Sequence, residues 1–281
     1  MKTKTFTNLI FFVFLILFSG CNSKYETDLI SAAKKNDIKS TLYLLKSGKD
    51  INTRDNEGYT PLMWASWFGY KKLATALIEN CADIQAKNIY GETALSITSF
   101  KGKDKIAKIL IENKADVNCV NKDSVTPLMY SATHGFKKIV ALLLKNSAKV
   151  DPVSEEGLTA LAYACFSGNY DIAESLIEHK ANVNFNVHND DPLLLLIAYQ
   201  GNTKIAKLLI ESGVDVNIKN VNLDTPLMAA CKSRNFDMVK LLIGLKADVN
   251  AKDENGDTPL IHAQRTEEKK IIDYLIASGA K

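Results

Sequence analysis

The sequence predicts an all-α repeat solenoid, in which turn–helix–helix units of 33 residues stack along one axis. Three observations predict it: glycines at a fixed spacing, a Thr-Pro-Leu phrase in the same register, and apolar stripes of helical period after each phrase. Length alone would indicate about two domains. A repeat array grows by adding units instead, so we expect one repeat domain over residues 27–281.

Glycines mark the period. They stand 33 residues apart at Gly69, Gly102, Gly135, Gly168 and Gly201. The Thr-Pro-Leu phrase, complete or altered, keeps this spacing and begins at Thr60, Thr93, Thr126, Thr159, Pro192, Thr225 and Thr258. A third phrase, Ala-Asp-Val-Asn or Ala-Asn-Val-Asn, begins at Ala115, Ala181 and Ala247. With a degenerate first unit that opens at Thr27, the chain holds eight units.

These phrases resemble the ankyrin repeat, whose signature is Thr-Pro-Leu followed by histidine and alanine. The resemblance covers about residue 26 to the end and implies stacked helix pairs with a protein-binding concave face. In the family, the histidine ties the turn to neighbouring backbone. Here we expect apolar packing to replace it, because its position holds Ile30, Met63, Ser96, Met129, Ala162, Leu195, Met228 and Ile261.

The second unit shows how each element should form. Thr60 is predicted to cap the first helix and Pro61 to occupy its first turn, where a missing N–H costs nothing. Gly69 should end that helix. The second helix is predicted from an apolar stripe formed by Leu73, Ala74, Leu77 and Ile78.

The outer and sixth units differ from the rest. The first unit and residues 264–270 of the last are polar, as the caps of a solenoid must be. The sixth unit has Asp190 in place of the turn glycine and lacks the Thr-Pro pair. This is either drift in a well-packed unit or an irregularity that shapes a groove, and we expect the array to open first there.

The first 21 residues are typical of an export signal, with Lys2 and Lys4 before an apolar run from Leu9 to Phe18. The ending Ser19-Gly20-Cys21 resembles the lipobox of bacterial lipoproteins, with Phe18 where that family usually has leucine. The resemblance implies acylation of Cys21, which becomes the first mature residue. Ordinary signal cleavage and an uncleaved anchor are the alternatives. Residues 22–26 then form a short tether.

The resemblance also bears on location. Asn22 follows the cysteine, whereas an aspartate there is typical of lipoproteins retained at the inner membrane. We therefore expect an exported lipoprotein at the outer membrane or cell surface. Without Lys2 and Lys4, 33 basic residues face 32 acidic ones, so the mature chain is near neutral and nucleic acid is not an expected partner.

The predicted partner-binding surface lies along the first helices. Seven residues after the start of each phrase, the chain presents mostly aromatic or basic side chains, which are the types that anchor interfaces. With two neighbours, the predicted partner-binding residues are Trp67, Phe68, Phe100, His134, Phe166, Tyr199, Lys232 and Arg265. Three residues earlier in their units stand Trp64, Tyr130 and Tyr163, which either pack between repeats or join the interface. Carboxylates at the turn tips are interpreted as solvated: Glu92, Asp123, Glu155, Glu156, Asp224, Glu254 and Asp257.

No convergent set of polar residues indicates catalysis, a cofactor or a metal site. The histidines lack metal-ligand spacing; His134 is expected on the concave face, and His179, His188 and His262 in solvent. An even number of cysteines in an exported protein would fit disulfides. Their repeat positions favour small buried free thiols instead, at Cys81, Cys119, Cys165 and Cys231.

The sequence therefore predicts a non-enzymatic, monomeric protein-binding module. The leading hypothesis is a lipid-anchored adaptor that binds another protein of the cell envelope. The alternative is an inhibitor or immunity-type protein that blocks a partner enzyme or toxin. A third possibility is a structural spacer, for which no substitution on the concave face would have an effect.

Overall fold

The computed structural model describes residues 28–187 and 191–281. Over these ranges the chain forms sixteen helices and one two-residue hairpin. They are arranged as eight helix pairs, which confirms the predicted all-α repeat solenoid. The predicted signal, Cys21 and the tether lie outside the described residues, as do His188 and Asp190.

The first helix of each unit packs on the first helix of the next, from α1 to α15. These helices form one layer, and their residue ranges are Asp28–Lys34 (α1), Pro61–Phe68 (α3), Ala94–Lys101 (α5), Pro127–Thr133 (α7), Ala160–Phe166 (α9), Leu193–Gln200 (α11), Pro226–Lys232 (α13) and Pro259–Thr266 (α15).

The second helices form the other layer, and each packs on its neighbours and on the first helix of its own unit. Their ranges are Ile38–Lys46 (α2), Lys71–Glu79 (α4), Asp104–Glu112 (α6), Lys137–Lys145 (α8), Tyr170–Glu178 (α10), Thr203–Glu211 (α12), Phe236–Gly244 (α14) and Lys269–Ala277 (α16). No helix in the described ranges combines the length and apolar composition that a membrane span requires.

The predicted threonine caps are present. The hydroxyl of Thr60 accepts the backbone N–H of Met63 at the start of α3, and Pro61 occupies the first turn. Equivalent bonds cap α5, α7, α9 and α13. In α15, Thr258 stands at the cap without such a bond, and its hydroxyl is buried without a partner among the described residues.

Hydrogen bonds, in addition to apolar packing, replace the family's histidine. The Met63 sulfur lies 3.5 Å from the backbone nitrogen of Thr60 and accepts its N–H. Met129 and Met228 do the same for Thr126 and Thr225 at 3.4 Å. In the third unit the Ser96 hydroxyl takes this role at 2.8 Å. A polarisable sulfur is a weak acceptor, so it satisfies the turn N–H while remaining compatible with the core.

The core lies between the two layers. In α4, Leu73, Ala74 and Leu77 are fully buried, and Ile78 is half-buried at the edge of the stripe. The same stripe recurs in α6, where Leu110 is completely inaccessible to solvent. No unit encloses these residues alone, so each depends on its neighbours for burial.

Two series of hydrogen bonds tie consecutive units together outside the core. One joins backbone groups of adjacent turn tips, from Ile89 N–H to the Glu57 carbonyl at 3.0 Å and at three further junctions. The other joins a side-chain oxygen to a backbone N–H 31 residues later. The backbone N–H groups that donate in this second series belong to Asp83, Asp116, Lys149, Asn182, Asp248 and Lys281.

The sixth unit interrupts these patterns. Its turn is the hairpin of Asn186–Val187 (β1) and Asp191–Pro192 (β2), which pair antiparallel. Helix α11 begins without a side-chain cap. Among the described residues, Asn184 makes no bond to the N–H of Asp215, where the 31-residue ladder would continue. One side-chain bond, from Asn220 to Asp191 at 2.8 Å, remains at this junction.

We therefore expect amide hydrogens of α11 and α12 to exchange faster than those of α5 and α6. The cause is the missing cap and the missing ladder bond, which lower the free energy of local opening. Hydrogen-exchange mass spectrometry measures this directly. Equal protection across both helix pairs would contradict the expectation.

Left-handed backbone ends the first helices, as the repeated glycines predict. The φ of Gly69 is 85°, and that of Gly102 is 67°. In the seventh unit the same position holds Arg234, with φ of 57°. A residue with a Cβ is strained in this region, whereas glycine is not.

Arg234→Gly should therefore increase the free energy of unfolding by about 1 kcal/mol, because it removes left-handed strain. Urea denaturation measures the change. Arg234→Ala is the matched control, since it removes the same exposed side chain but keeps the Cβ. If both variants gained equally, the side chain and not the backbone would be responsible.

The cysteines follow the prediction with one exception. All four described cysteines are free, and Cys119, Cys165 and Cys231 are buried. Burial raises the pKa of the Cys119 thiol to about 11 and those of the other two to about 12, so the reactive thiolate form is disfavoured at neutral pH. Cys81 is exposed, which makes the prediction of burial wrong there. It stands just after α4 in left-handed backbone, with φ of 65°, where the chain turns at the surface.

Candidate protein-binding surface

Side chains of the first helices and of the residues that flank them form a continuous group of rings over the second, third and fourth units. We call it the aromatic surface. Each ring lies within 6.5 Å, between centroids, of at least one other. Its members are Tyr59, Trp64, Trp67, Phe68, Tyr70, Phe100, Tyr130, His134 and Phe136.

Ring contacts run from one unit to the next. Trp67 of α3 lies 6.5 Å from Phe100 of α5, and Phe100 lies 4.9 Å from the exposed imidazole of His134, edge to face. Trp64 stacks on Phe68 at 5.8 Å. The predicted binding residues Trp67, Phe68, Phe100 and His134 are thus brought together by the stacking of the units.

Burial within the aromatic surface is graded. Trp64 is buried, Trp67 and Phe100 are half-buried, and 43% of Phe68 is exposed. Rings that are held by neighbours and open on one face lose little conformational entropy on binding. The arrangement is therefore suited to contact with a second protein.

Two of the predicted aromatic residues lie outside this group. Tyr199 of α11 is 56% exposed, and in the described part of the chain no ring contact joins it to another aromatic residue. Phe166 of α9 is half-buried against the core. At the repeat position shared by Phe100, Phe166 and Tyr199, the fourth unit has Thr133. The series of aromatic residues at that position is therefore interrupted there.

Lys232 and Arg265 are engaged within their own units. The Lys232 ammonium lies 2.6 Å from a carboxylate oxygen of Asp224, and Arg265 pairs with Asp257. Both pairs join a turn tip to the end of its first helix. The interpretation of Asp224 and Asp257 as merely solvated is therefore wrong.

A hydrogen bond that ties the turn to the first helix of the same unit recurs between residues nine positions apart. The Trp64 indole N–H donates to Asp55 at 2.9 Å, and the His262 imidazole bonds Asp253 at the same distance. The equivalent pairs are Asn121 with Tyr130 at 3.0 Å and Ser154 with Tyr163 at 3.1 Å. Trp64, Tyr130 and Tyr163 thus have a structural role in their own units, and two of them also belong to the aromatic surface.

His262 is buried by this tie, so its predicted exposure is wrong; His179 is exposed as expected. The third unit lacks the tie because the residue nine positions after Asn88 is the apolar Ile97, whose side chain has no polar atom to bond. The amide nitrogen of Asn88 is accordingly buried without a partner among the described residues. The nine-residue spacing was visible in the sequence and would have predicted these pairs.

Glu92 connects the third unit to the fourth. One of its carboxylate oxygens accepts the Tyr130 hydroxyl at 2.5 Å and the Asn121 amide at 3.0 Å. Burial, and then the neighbouring Glu92, raises the pKa of Tyr130 far above its usual value, so the phenol stays protonated and donates. Glu92 is therefore a structural group and not a solvated turn carboxylate. Glu156 likewise accepts the Tyr163 hydroxyl, at 2.8 Å.

Two lysines lie on the rings. The Lys34 nitrogen is 4.3 Å from the Trp64 ring centroid and 3.6 Å from an oxygen of Asp55. The Lys101 nitrogen is 3.7 Å from the Trp67 centroid and 5.0 Å from that of Phe100. Cations at such distances are attracted by the ring faces. Desolvation by burial, and then repulsion from Lys103, lowers the pKa of Lys101.

Within the described ranges, one group of potential metal ligands is formed by Asp224, Asp253 and His262, whose ligand atoms lie within 4.8 Å of one another. Each is already used in the turn network. Asp224 pairs with Lys232, and Asp253 binds His262 and two backbone N–H groups. Although burial raises the pKa of Asp253, these hydrogen bonds outweigh it and hold the pKa below its usual value. The geometry is that of a buried carboxylate satisfied by its own turn.

Comparison with known proteins gives one finding. A sequence profile described as ankyrin repeats (3 copies) matches residues 6–88, 95–189 and 194–281, and so covers nearly the whole chain. The first match begins within the segment predicted to be the signal. No curated protein matches the chain.

Proposed function

Since the chain belongs to the ankyrin repeat family, whose members are in general protein-binding modules, we propose that it binds another protein through its aromatic surface. The observation that carries the proposal is the continuity of rings from Trp67 through Phe100 to His134. Hot spots of protein interfaces are rich in tryptophan, tyrosine and arginine and cluster centrally. A hot spot of this kind needs rings that are already held in place and are partly exposed. The first helices of three units supply such rings.

The proposal includes a lipid anchor at Cys21, which makes the protein an adaptor held at the bacterial envelope. Its support is the lipobox-like sequence that ends at Cys21. At roughly 3.5 Å per residue, the tether of residues 22–26 reaches less than about 20 Å. The aromatic surface lies in the second to fourth units, which follow soon after the tether along the chain, so we expect a partner bound there also to lie close to the membrane.

An affinity pull-down after cross-linking in cells tests the proposal. Tagged full-length protein is compared with the double variant Trp67→Ala/Phe100→Ala. We expect a defined protein to be captured by the wild type and lost with the variant, because truncation removes the central rings. Circular dichroism and thermal unfolding check that the variant remains folded.

The matched control is Phe166→Ala/Tyr199→Ala. It truncates two aromatic residues at the same repeat position but outside the aromatic surface. Capture by this control, together with loss in the first variant, supports the proposal. Loss only in the control would move the site to the fifth and sixth units, and equal capture by all three proteins would exclude the aromatic surface.

A further inference from the structure

The cations of the first-helix face fall into two classes. Lys34, Lys232 and Arg265 each lie within ion-pair distance of a carboxylate from a turn tip, which is Asp55, Asp224 or Asp257. Lys101 differs, because among the described residues no ion pair includes it. Its contacts are the faces of Trp67 and Phe100.

The surroundings of Lys101 leave its ammonium group poorly stabilised. Lys103 lies close enough to lower the pKa of Lys101, and burial acts in the same direction. The stem of Lys103 covers the end of α3 in the preceding unit, where a Cβ added at Gly69 would lie 3.0 Å from it. A half-buried ammonium with a second lysine nearby and no carboxylate is incompletely compensated.

We propose that Lys101 receives a carboxylate of the partner protein, presented by a segment whose apolar side chains cover Trp67 and Phe100. This inference rests on the proposed function and adds the chemistry of the partner: an acidic side chain flanked by aromatic or aliphatic residues. Charge complementarity favours such a segment, because an ammonium that belongs to no ion pair among the described residues lies over the two central rings. Pairing in this partly dehydrated setting is charge-assisted and strong.

The test uses a random 12-residue peptide library displayed on phage, selected on full-length protein held in detergent. The wild type should enrich peptides with Asp or Glu next to aromatic or aliphatic residues. Lys101→Gln should lose the acidic preference and bind a selected peptide about tenfold or more weakly, while Lys101→Arg retains both. Lys105→Gln is the matched control, because it removes an exposed lysine from α6 of the same unit and should change nothing.

The outcomes separate the two proposals. Enrichment of apolar peptides without an acid, or an acidic preference unchanged in Lys101→Gln, overturns the role of Lys101 but leaves the aromatic surface in place. Enrichment unaffected by Trp67→Ala/Phe100→Ala overturns both. The library is also displayed with free C-termini. If the wild type then prefers peptides by their terminal carboxylate, the anion comes from the chain terminus, and its assignment to an acidic side chain is overturned.

Discussion

Replacing Cys21 with serine is expected to abolish incorporation of fatty acid into the protein. The lipobox-like ending implies that this cysteine carries the acyl chains, and the variant removes its thiol. A multiply acylated cysteine anchors a protein stably, whereas the short apolar run before it is too short to span a bilayer comfortably. Metabolic labelling with a tagged fatty acid, followed by isolation of the protein, measures the effect.

Cys81→Ser is the control, because Cys81 is the exposed cysteine of the described chain. This variant should be labelled as strongly as the wild type. Label on the Cys21→Ser protein would place acylation elsewhere. An unlabelled wild type would contradict lipidation and leave ordinary cleavage or an uncleaved anchor as the interpretation of the first 21 residues.

Leu110→Ala is expected to lower the free energy of unfolding by about 3 kcal/mol. Leu110 is completely buried in α6, and α6 packs between the second helices of the two neighbouring units, α4 and α8. Its truncation leaves a cavity in an interior unit, and the loss extends to both adjacent interfaces because each unit is stabilised by its neighbours. Urea denaturation followed by circular dichroism measures the change.

Lys105→Ala in the same helix provides the comparison. Its side chain is exposed, and the change should stay within about 0.5 kcal/mol of zero. If Leu110→Ala cost less than about 1 kcal/mol, α6 would not be an integral part of the stack, and the nearest-neighbour description of the core would be wrong.

The sequence predicted the fold closely because the repeat is redundant. A spacing of 33 residues located all the units, and Thr60, Pro61 and Gly69 took the cap, first-turn and C-terminal positions expected of them. What periodicity did not predict was the substitute for the family's histidine. A Met sulfur as acceptor depends on rotamer and distance, which a pattern of apolar positions does not contain.

The candidate surface was predicted only in part. Register alone placed Trp67 and Phe100 on one face, and the structure joined them to His134. Register could not show that Lys232 and Arg265 would be held by carboxylates eight residues earlier. It also could not separate Tyr199 from the other rings, because which aromatic residues touch depends on how adjacent helices pack.

A site-specific photo-cross-linker tests the central claim most directly. Benzoylphenylalanine is placed at Phe68, which is 43% exposed at the edge of the aromatic surface, or at Tyr43 in α2, which is 72% exposed in the layer of second helices. In living cells, irradiation should join a partner protein to the chain from position 68 and not from position 43. Cross-linking from position 43 alone, or equally from both, would contradict binding at the aromatic surface.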